Sequence, residues 1–525
     1  MITDWIDVGE VSAERDQNLR HYFYDNGVST KLVGNNKQYL LLGRKGAGKT
    51  AVFSHLASSP TNIFARTDVI VPLSLQSYNW QAHNLLTDNQ KAGGFQHRDS
   101  WRFVLYVEAV KAIREKLKGQ GAAVPKKIEK AARALERIFA TPVPSWTDLL
   151  GQKLFNLAKI ELPKAGLDDD GVSVGGGEIS FEQLRDDAGL KHQLNKNVEG
   201  LTAYLESSLS ETPEDIRVFF LFDRLDEAWV SDFIDESKSI VSGLLHASEH
   251  VLHQFGGRLR PLVFLREDIF STFDINDRNK LKHDCSESLL WDQESIERLI
   301  LERINYYAKQ KSVATLNELQ QIFIEKEMRS RATPVKHIFN RTMCRPRDMV
   351  AFLDKTFKVA KADALHSPDG QQISTLAIYD AESGYGDYLF EELSDEWRNQ
   401  NEHFLEYLRT FENLRYAAIT SDELKEALIK KGLASDHAEF RAIMRFLFEN
   451  SIIGITVGKS KQWRYKCFFP SQAFSDADVV KVHPGLIKRL GLTESSSERA
   501  NAVSDKFILD REPGESGDPS ASTST

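Results

Sequence analysis

The sequence is poor in cysteine: three in 525 residues, Cys285, Cys344 and Cys467, too scattered for a metal-ligand pair or a disulfide framework. That argues against a disulfide-stapled secreted fold and predicts a reducing, cytoplasmic setting. No apolar run reaches 18 residues, so no membrane-spanning helix and no membrane partner are expected. The opening stretch, MITDWIDVGEVSAERD, lacks the basic and apolar parts of a signal peptide. Positive charge is not in excess: 67 Lys and Arg face 76 Asp and Glu, a net charge of −9, so nucleic-acid binding would need a local basic face.

What is present, 41% hydrophobic and 27% charged residues, predicts a soluble globular protein. A chain this long exceeds one ordinary core, and roughly two to four domains are expected.

The most informative stretch is QYLLLGRKGAGKTAVFSHL, residues 38–56. Tyr39 to Leu42 reads as a buried strand running into Gly43, Arg44, Lys45, Gly46, Ala47, Gly48, Lys49 and Thr50, the spacing of a phosphate-binding loop, and an amphipathic helix follows. Backbone N–H groups of such a loop and the helix N-terminus surround a β-phosphate. Lys49 would reach the β/γ oxygens of ATP, and the Thr50 hydroxyl would sit on Mg²⁺. Just upstream, Phe23 or Tyr24 would either stack on the base or pack as ordinary core.

Thr67 to Leu73 is the next strand. Residues from Trp101 to about Ala140 are helical, and their second part, PKKIEKAARALERIFA, reads as a mostly exposed helix. Residues 162–180, with Asp168 to Asp170 and Gly171, Gly175, Gly176 and Gly177, suit a solvated excursion. A helix over about Ser180 to Ser210 returns to the core.

Residues 215–229 read DIRVFFLFDRLDEAW. Val218 to Phe222 is a continuous apolar strand of the kind covered on both faces. Asp223 falls at its end, on the same rim as the phosphate loop, where a carboxylate holds Mg²⁺ through water. Glu227 is the expected general base and Asp226 a second acid on the metal side; the order of the two is open on sequence alone. The strand Leu262 to Leu265 ends in Arg266, either a sensor of the γ-phosphate or a surface arginine. Asn276, Asp277 and Lys280 would line the same cleft.

Beyond Trp291 a helix buries Ile296, Leu299, Ile300 and Ile304, leaving Arg298 and Arg303 outward as solvated ion-paired arginines or as arginine fingers. Arg347 stands at a helix start opened by Pro346 and Asp348, projecting from a helical lid. At the C-terminus, Thr420 or Ser421 caps a helix, a second helix follows, and GITVGKSKQWRYKCFF reads as a hairpin turning at Gly458-Lys459-Ser460-Lys461, a winged-helix pattern. Residues 421–490 hold 12 Lys and Arg against 8 Asp and Glu, a local +4 that would let Lys459, Lys461, Arg464 and Lys466 follow a nucleic-acid backbone.

These motifs resemble P-loop ATPases of the AAA+/STAND type, and most of all the bacterial Sll1717-like P-loop ATPase group, with some similarity to archaeal origin-recognition ATPases. The resemblance covers most of residues 15–490. It implies an α/β fold: a P-loop NTPase core with a parallel sheet over 1–270, carrying a helical and Gly-rich insertion at about 100–210. A helical lid (271–366), a helical connector (367–415), a winged helix (416–492) and a disordered tail (493–525) would follow. It matches Lys49 and Thr50 to the phosphate and Mg²⁺ residues, Asp223 to the Mg²⁺ aspartate, and Arg266 and Arg347 to sensor arginines. The DxxDE form at Asp223, Asp226 and Glu227 departs from a contiguous Asp-Glu and implies a slow ATPase. The implied function is an ATP-binding and hydrolysing switch that works as a homo-oligomer or with a separately encoded effector, in bacterial antiviral defence. The alternative is a nucleotide-sensing winged-helix DNA-binding protein with little turnover.

Overall fold

The computed structural model describes residues 1–76, 78–87, 95–139, 143, 149, 154, 157–161, 173–174, 181–228, 233–273, 278–398, 400–458 and 462–494. The chain forms two units: Gly9–Trp291, and Met1–Val8 together with the residues from Asp292 onward.

In the first unit the strands are β1 (Leu40–Gly43), β2 (Val69–Ser74), β3 (Ile160–Glu161), β4 (Ser173–Val174), β5 (Val218–Asp223), β6 (Leu259–Arg266) and β7 (Ser286–Ser288). Five make a parallel sheet in the order β2-β5-β6-β1-β7, while β3 and β4 pair antiparallel by themselves. Every residue of β5 and β6 is buried, because helices cover both faces of the sheet. After α1 (Leu19–Tyr22), α2 (Val28–Gly34) and α3 (Lys49–Ala57) cover one face, where Leu32, Val52 and Leu56 cluster with Leu41, Phe219 and Phe264.

The other face is covered by α4 (Trp80–Asn84), α5 (Arg98–Gly119), α6 (Lys126–Phe139), α7 (Phe181–Asp186), α8 (Ala188–Leu209) and α9 (Ile234–Gln254), in one apolar cluster with Leu40, Leu42, Phe220 and Val263. Short helices α10 (Glu267–Ser271) and α11 (Arg278–Asp284) link β6 to β7. Arg260, fully buried on β6, donates to the carbonyls of Leu32, Val33 and Asn35 and so satisfies the open C-terminal end of α2.

Two expectations change here. The helix expected to be mostly exposed, α6, buries Ile128, Ala131, Ala132, Leu135, Ile138 and Phe139, a stripe that its alternating charges had masked. The helix expected over 180–210 breaks at Asp187, whose carboxylate accepts the N–H groups of Gly189 and Leu190 and starts α8 afresh. The run with Asp168 to Asp170, Gly171 and Gly175 to Gly177 lies outside the described residues.

The second unit contains α12 (Gln293–Gln310), α13 (Pro334–Phe339), α14 (Pro346–Ala362), α15 (Leu376–Trp397), α16 (Phe404–Phe411), β8 (Ala418–Thr420), α17 (Ser421–Lys430), α18 (His437–Glu449), β9 (Ile453–Ile455) and β10 (Val479–Val482). Thr420 caps α17 in a capping box with Glu423. The three strands form an antiparallel sheet in the order β8-β10-β9, a winged-helix-like arrangement.

The wing differs from its expected form. Trp463 to Cys467 is not the second strand of a hairpin: only Arg464 bridges back, to Ile455, and β10 takes the ladder position. Tyr465 turns inward instead, so close to Gly454 that a Cβ there would lie 2.7 Å from its ring. Close packing also seats this domain on the helices before it. A Cβ on Gly485 would lie 2.2 Å from the Arg341 carbonyl oxygen. Thr493 still pairs with Arg415 and Ala417, and the rest of the expected tail, from residue 495, lies outside the described residues. Among the described residues no helix is long and apolar enough to cross a membrane.

Candidate functional site

β1 delivers the chain to the C-terminal rim of the sheet, and Gly43, its last residue, is in register with Arg266, the last of β6. The loop from Gly43 to Gly48 then turns into α3. Gly46 and Gly48 have φ of 77° and 98°, in the left-handed region where a Cβ is strained, so glycine is required at both positions. Lys49 folds over the loop, its Nζ donating to the carbonyls of Gly43 at 3.1 Å and Arg44 at 3.2 Å. Burial pushes its pKa down, and the carboxylates of Asp226 and Asp223 oppose that fall.

Asp223 ends β5, two strands from the loop on the same rim. The nearby Thr50 hydroxyl, Arg224 backbone N–H and Lys49 ammonium favour its charged form, yet burial still pushes its pKa up to about 6. Its Oδ2 is buried and has no hydrogen-bond partner. A buried carboxylate oxygen without a donor, beside a hydroxyl and facing an ammonium, is a fitting ligand set for one hard cation. Among the described residues no three His, Cys, Asp or Glu side chains are placed to hold a metal alone. Mg²⁺ here would therefore take its remaining ligands from phosphate oxygens and water.

After Asp223 the backbone at Arg224 enters the left-handed region, φ 64°, and this turn separates the next two acids. Glu227 receives a hydrogen bond from Arg224 Nη1 at 3.1 Å, and Arg224 also lies 3.7 Å from Glu14. Asp226 faces the other way, 3.7 Å from Arg266 Nη1. Arg266 is buried and donates to both oxygens of Asp268, at 3.1 and 2.7 Å. The rim thus brings together Lys49, Thr50, Asp223, Asp226 and Arg266, with Glu227 turned to its edge.

The other predicted residues fall elsewhere. Phe23 stacks on His55 of α3, ring centroids 4.1 Å apart, and Tyr24 lies 6.4 Å from Trp291. Lys280, expected in the phosphate cleft, sits instead beside α9 at the opposite rim, because α11 packs just before β7 begins. Asn276 and Asp277 lie outside the described residues, as do Lys459, Ser460 and Lys461. In the second unit Arg347 pairs with Glu392 at 3.3 Å, and Arg298 is exposed and pairs with Glu294. Arg303 is not outward: it is buried and donates to the Val8 carbonyl at 2.8 Å. Arg464 and Lys466 are both tied to Gln472 within their own domain.

Two contributors were missed. Trp291 Nε1 donates to the carbonyl of Ala47, inside the phosphate loop, at 2.8 Å. Arg224 positions Glu227 only because its backbone turns left-handed. Neither contact has a signature in sequence, since the first spans 244 residues and the second depends on a local φ.

Residues 294–394 match the family described as the FunZ-associated C-terminal helical domain (FunZ_C). The chain is 21% identical, over 95% of its length and 69% of the relative's, to an 80.3 kDa protein of Escherichia coli (strain K12) named for transposon gamma-delta. Among solved structures it is similar to Cdc6p from Pyrobaculum aerophilum, at 12% identity, 94% and 98% coverage of the two chains and a TM-score of 0.31. It is also similar to the Aeropyrum pernix Orc1 protein in complex with DNA, at 11% identity, 92% and 91% coverage and a TM-score of 0.32.

Proposed function

We propose that this chain is a Mg²⁺-dependent ATP-binding and ATP-hydrolysing switch. One observation carries the reading: the unpartnered, buried Oδ2 of Asp223, held beside the Thr50 hydroxyl and electrostatically coupled to Lys49 at the end of a phosphate-loop backbone. Thr50 and Asp223 would hold the metal, directly and through water. Mg²⁺, when bound, would neutralise charge on the β/γ-phosphoryl oxygens. The loop N–H groups from Arg44 to Thr50 would bind the β-phosphate, and Lys49 would exchange its loop carbonyls for phosphoryl oxygens.

Asp226 would accept a proton from the attacking water, because its carboxylate lies on the rim 3.7 Å from Arg266 and acts on the Lys49 ammonium, while Glu227 is drawn aside to Arg224. Glu227, the base expected from sequence, is the alternative. Arg266 would meet charge on the γ-phosphate, and Arg347 would report nucleotide state from the second unit.

Calorimetry with ATP and Mg²⁺ tests the reading. Lys49→Ala should weaken binding by about 10- to 100-fold, the loss of a charge-assisted contact. Equal affinity in the two proteins would reject the site.

The resemblance extends this to a homo-oligomer or a separately encoded effector, in antiviral defence. The alternative, a DNA-binding sensor with little turnover, draws on the local +4 of residues 421–490. Against it, Arg464 and Lys466 are already engaged. Steady-state turnover with and without duplex DNA separates the two: a switch turns over alone, a DNA sensor responds to the duplex.

A further inference from the structure

The α9 helix begins after the C-terminal end of β5 and runs back to where β6 starts. Its last two turns therefore lie at the sheet edge remote from the phosphate loop. There His246, His250 and His253 recur on one stripe of the helix. The stripe faces a cleft of about 570 Å³, which also receives Glu249 of α9, Phe95 just before α5, Arg98 at its first position, and Lys280 of α11. A volume of that size suits a small ligand.

Histidines four apart on a helix, with Glu249 between them, would suit a divalent metal. Arg98 and Lys280 oppose that, adding two positive charges to the lining, although Arg98 already meets Asp99 at 3.4 Å. Among the described residues no three His, Cys, Asp or Glu side chains are placed to hold a metal. The lining carries Arg98 and Lys280 against one carboxylate, Glu249, with Asp99 3.4 Å from Arg98 and Glu206 3.4 Å from His250 just behind it, so Lys280 is the cation with no ion pair among the described residues and the group to which an anion would turn.

Phe95 narrows the class of anion. The residue is 42% exposed, yet its ring has neighbours: His246 stacks on it with centroids 4.0 Å apart and planes at 18°, and the Arg98 guanidinium carbon lies 5.9 Å from its centroid. An exposed aromatic ring already stacked by an imidazole, with one cation at it and a second lining the same cleft, extends a stacked surface for a flat ring that carries a negative group. Glu249 and the histidines supply acceptors and donors for the polar edge of such a ring.

We propose that this cleft binds a nucleoside monophosphate, its base against Phe95 and its phosphate between Arg98 and Lys280, at a site separate from the phosphate loop. The proposal does not depend on ATP binding at Lys49.

The test uses the full chain carrying Lys49→Ala, so that binding at the phosphate loop is suppressed. AMP, GMP, CMP, UMP and inorganic phosphate are titrated in turn by calorimetry. At least one nucleotide should bind about tenfold or more tighter than phosphate, and Lys280→Gln and Phe95→Leu should each weaken it by about tenfold. Lys280 is on a surface helix and Phe95→Leu keeps an apolar side chain, so both variants should fold, as circular dichroism would verify. Nucleotides binding no tighter than phosphate, or binding that ignores both substitutions, would overturn the proposal.

Discussion

The Nη1 of Arg266 stands 3.7 Å from Oδ2 of Asp226, while the other guanidinium nitrogens are committed to Asp268. Arg266 is buried, and Asp226 is more than a third exposed on its side chain, so a buried cation faces a solvent-accessible acid at the rim. Glu227, one residue on, is instead drawn to Arg224.

This arrangement predicts which acid matters for turnover. Asp226→Asn should lower the single-turnover rate of ATP hydrolysis by about 100-fold while leaving ATP affinity within a few-fold, because an amide cannot take a proton. Glu227→Gln should cost less than about tenfold, since it disturbs only an exposed pair. The reverse ranking in rapid-quench measurements would return the role to Glu227.

Trp291→Phe keeps an aromatic ring, smaller than the indole, and removes the N–H that holds the Ala47 carbonyl. The loop would lose a neutral hydrogen bond worth about 1 kcal/mol, so ATP affinity should fall by about fivefold with the fold intact. The Trp291 indole should also shift its emission when ATP binds, and this shift should vanish in Lys49→Ala. An unchanged affinity in Trp291→Phe would mean the indole is packing only.

The phosphate loop, the central strands and most helices were legible because each is written in a local pattern: a glycine spacing, an apolar run, a 3.6-residue stripe or a capping residue. What failed was whatever local pattern does not decide. Arg303 looks like a polar-face arginine, yet it is buried and donates to the carbonyl of Val8, 295 residues away, a partner that no local pattern announces. Tyr465 and its basic neighbours alternate as a strand would, yet Gly454 leaves room for the ring to tuck in, and β10 fills the sheet. Asp226 and Glu227 could not be ordered, because the left-handed turn at Arg224 separates them.

A buried polar chain under the sheet makes a pH prediction. Tyr78 donates to His83, His83 bonds Ser100 at 2.7 Å, and Ser100 donates to the His97 carbonyl at 2.7 Å. Burial pushes the pKa of His97 down to about 4 and that of His83 well below 6.5. Both are neutral when folded and titrate near 6.5 when unfolded, so between those limits the unfolded chain binds more protons. Stability from these groups is present above pH 6.5 and falls as the pH drops toward 4, by up to about 1.4 kcal/mol per pH unit for each. Asp223 and Asp348, both pushed up to about 6, contribute with the opposite sign between pH 3.8 and 6. The comparison must therefore be between wild type and His97→Gln. Urea unfolding at pH 7 and 5 should lose less stability in the variant, and equal losses would show that His97 does not titrate on unfolding.

In the second unit, Arg345 and Glu396 are both buried and meet at 2.8 Å, with Arg345 Nε left without a partner. Ion pairs of this kind return little net stability, because two charges have left water, but breaking one strands the other. Glu396→Gln should therefore destabilise this unit by about 3 to 5 kcal/mol. The double replacement Arg345→Met with Glu396→Leu should recover most of that loss. Two units can unfold in separate steps, so the readout should be calorimetric scans of the full chain, not a single midpoint. The transition belonging to the second unit should move, and calorimetric ATP affinity at the first should hold. If the double variant is as unstable as Glu396→Gln, the pair contributes attraction beyond its desolvation cost, and the buried charges stabilise the domain in their own right.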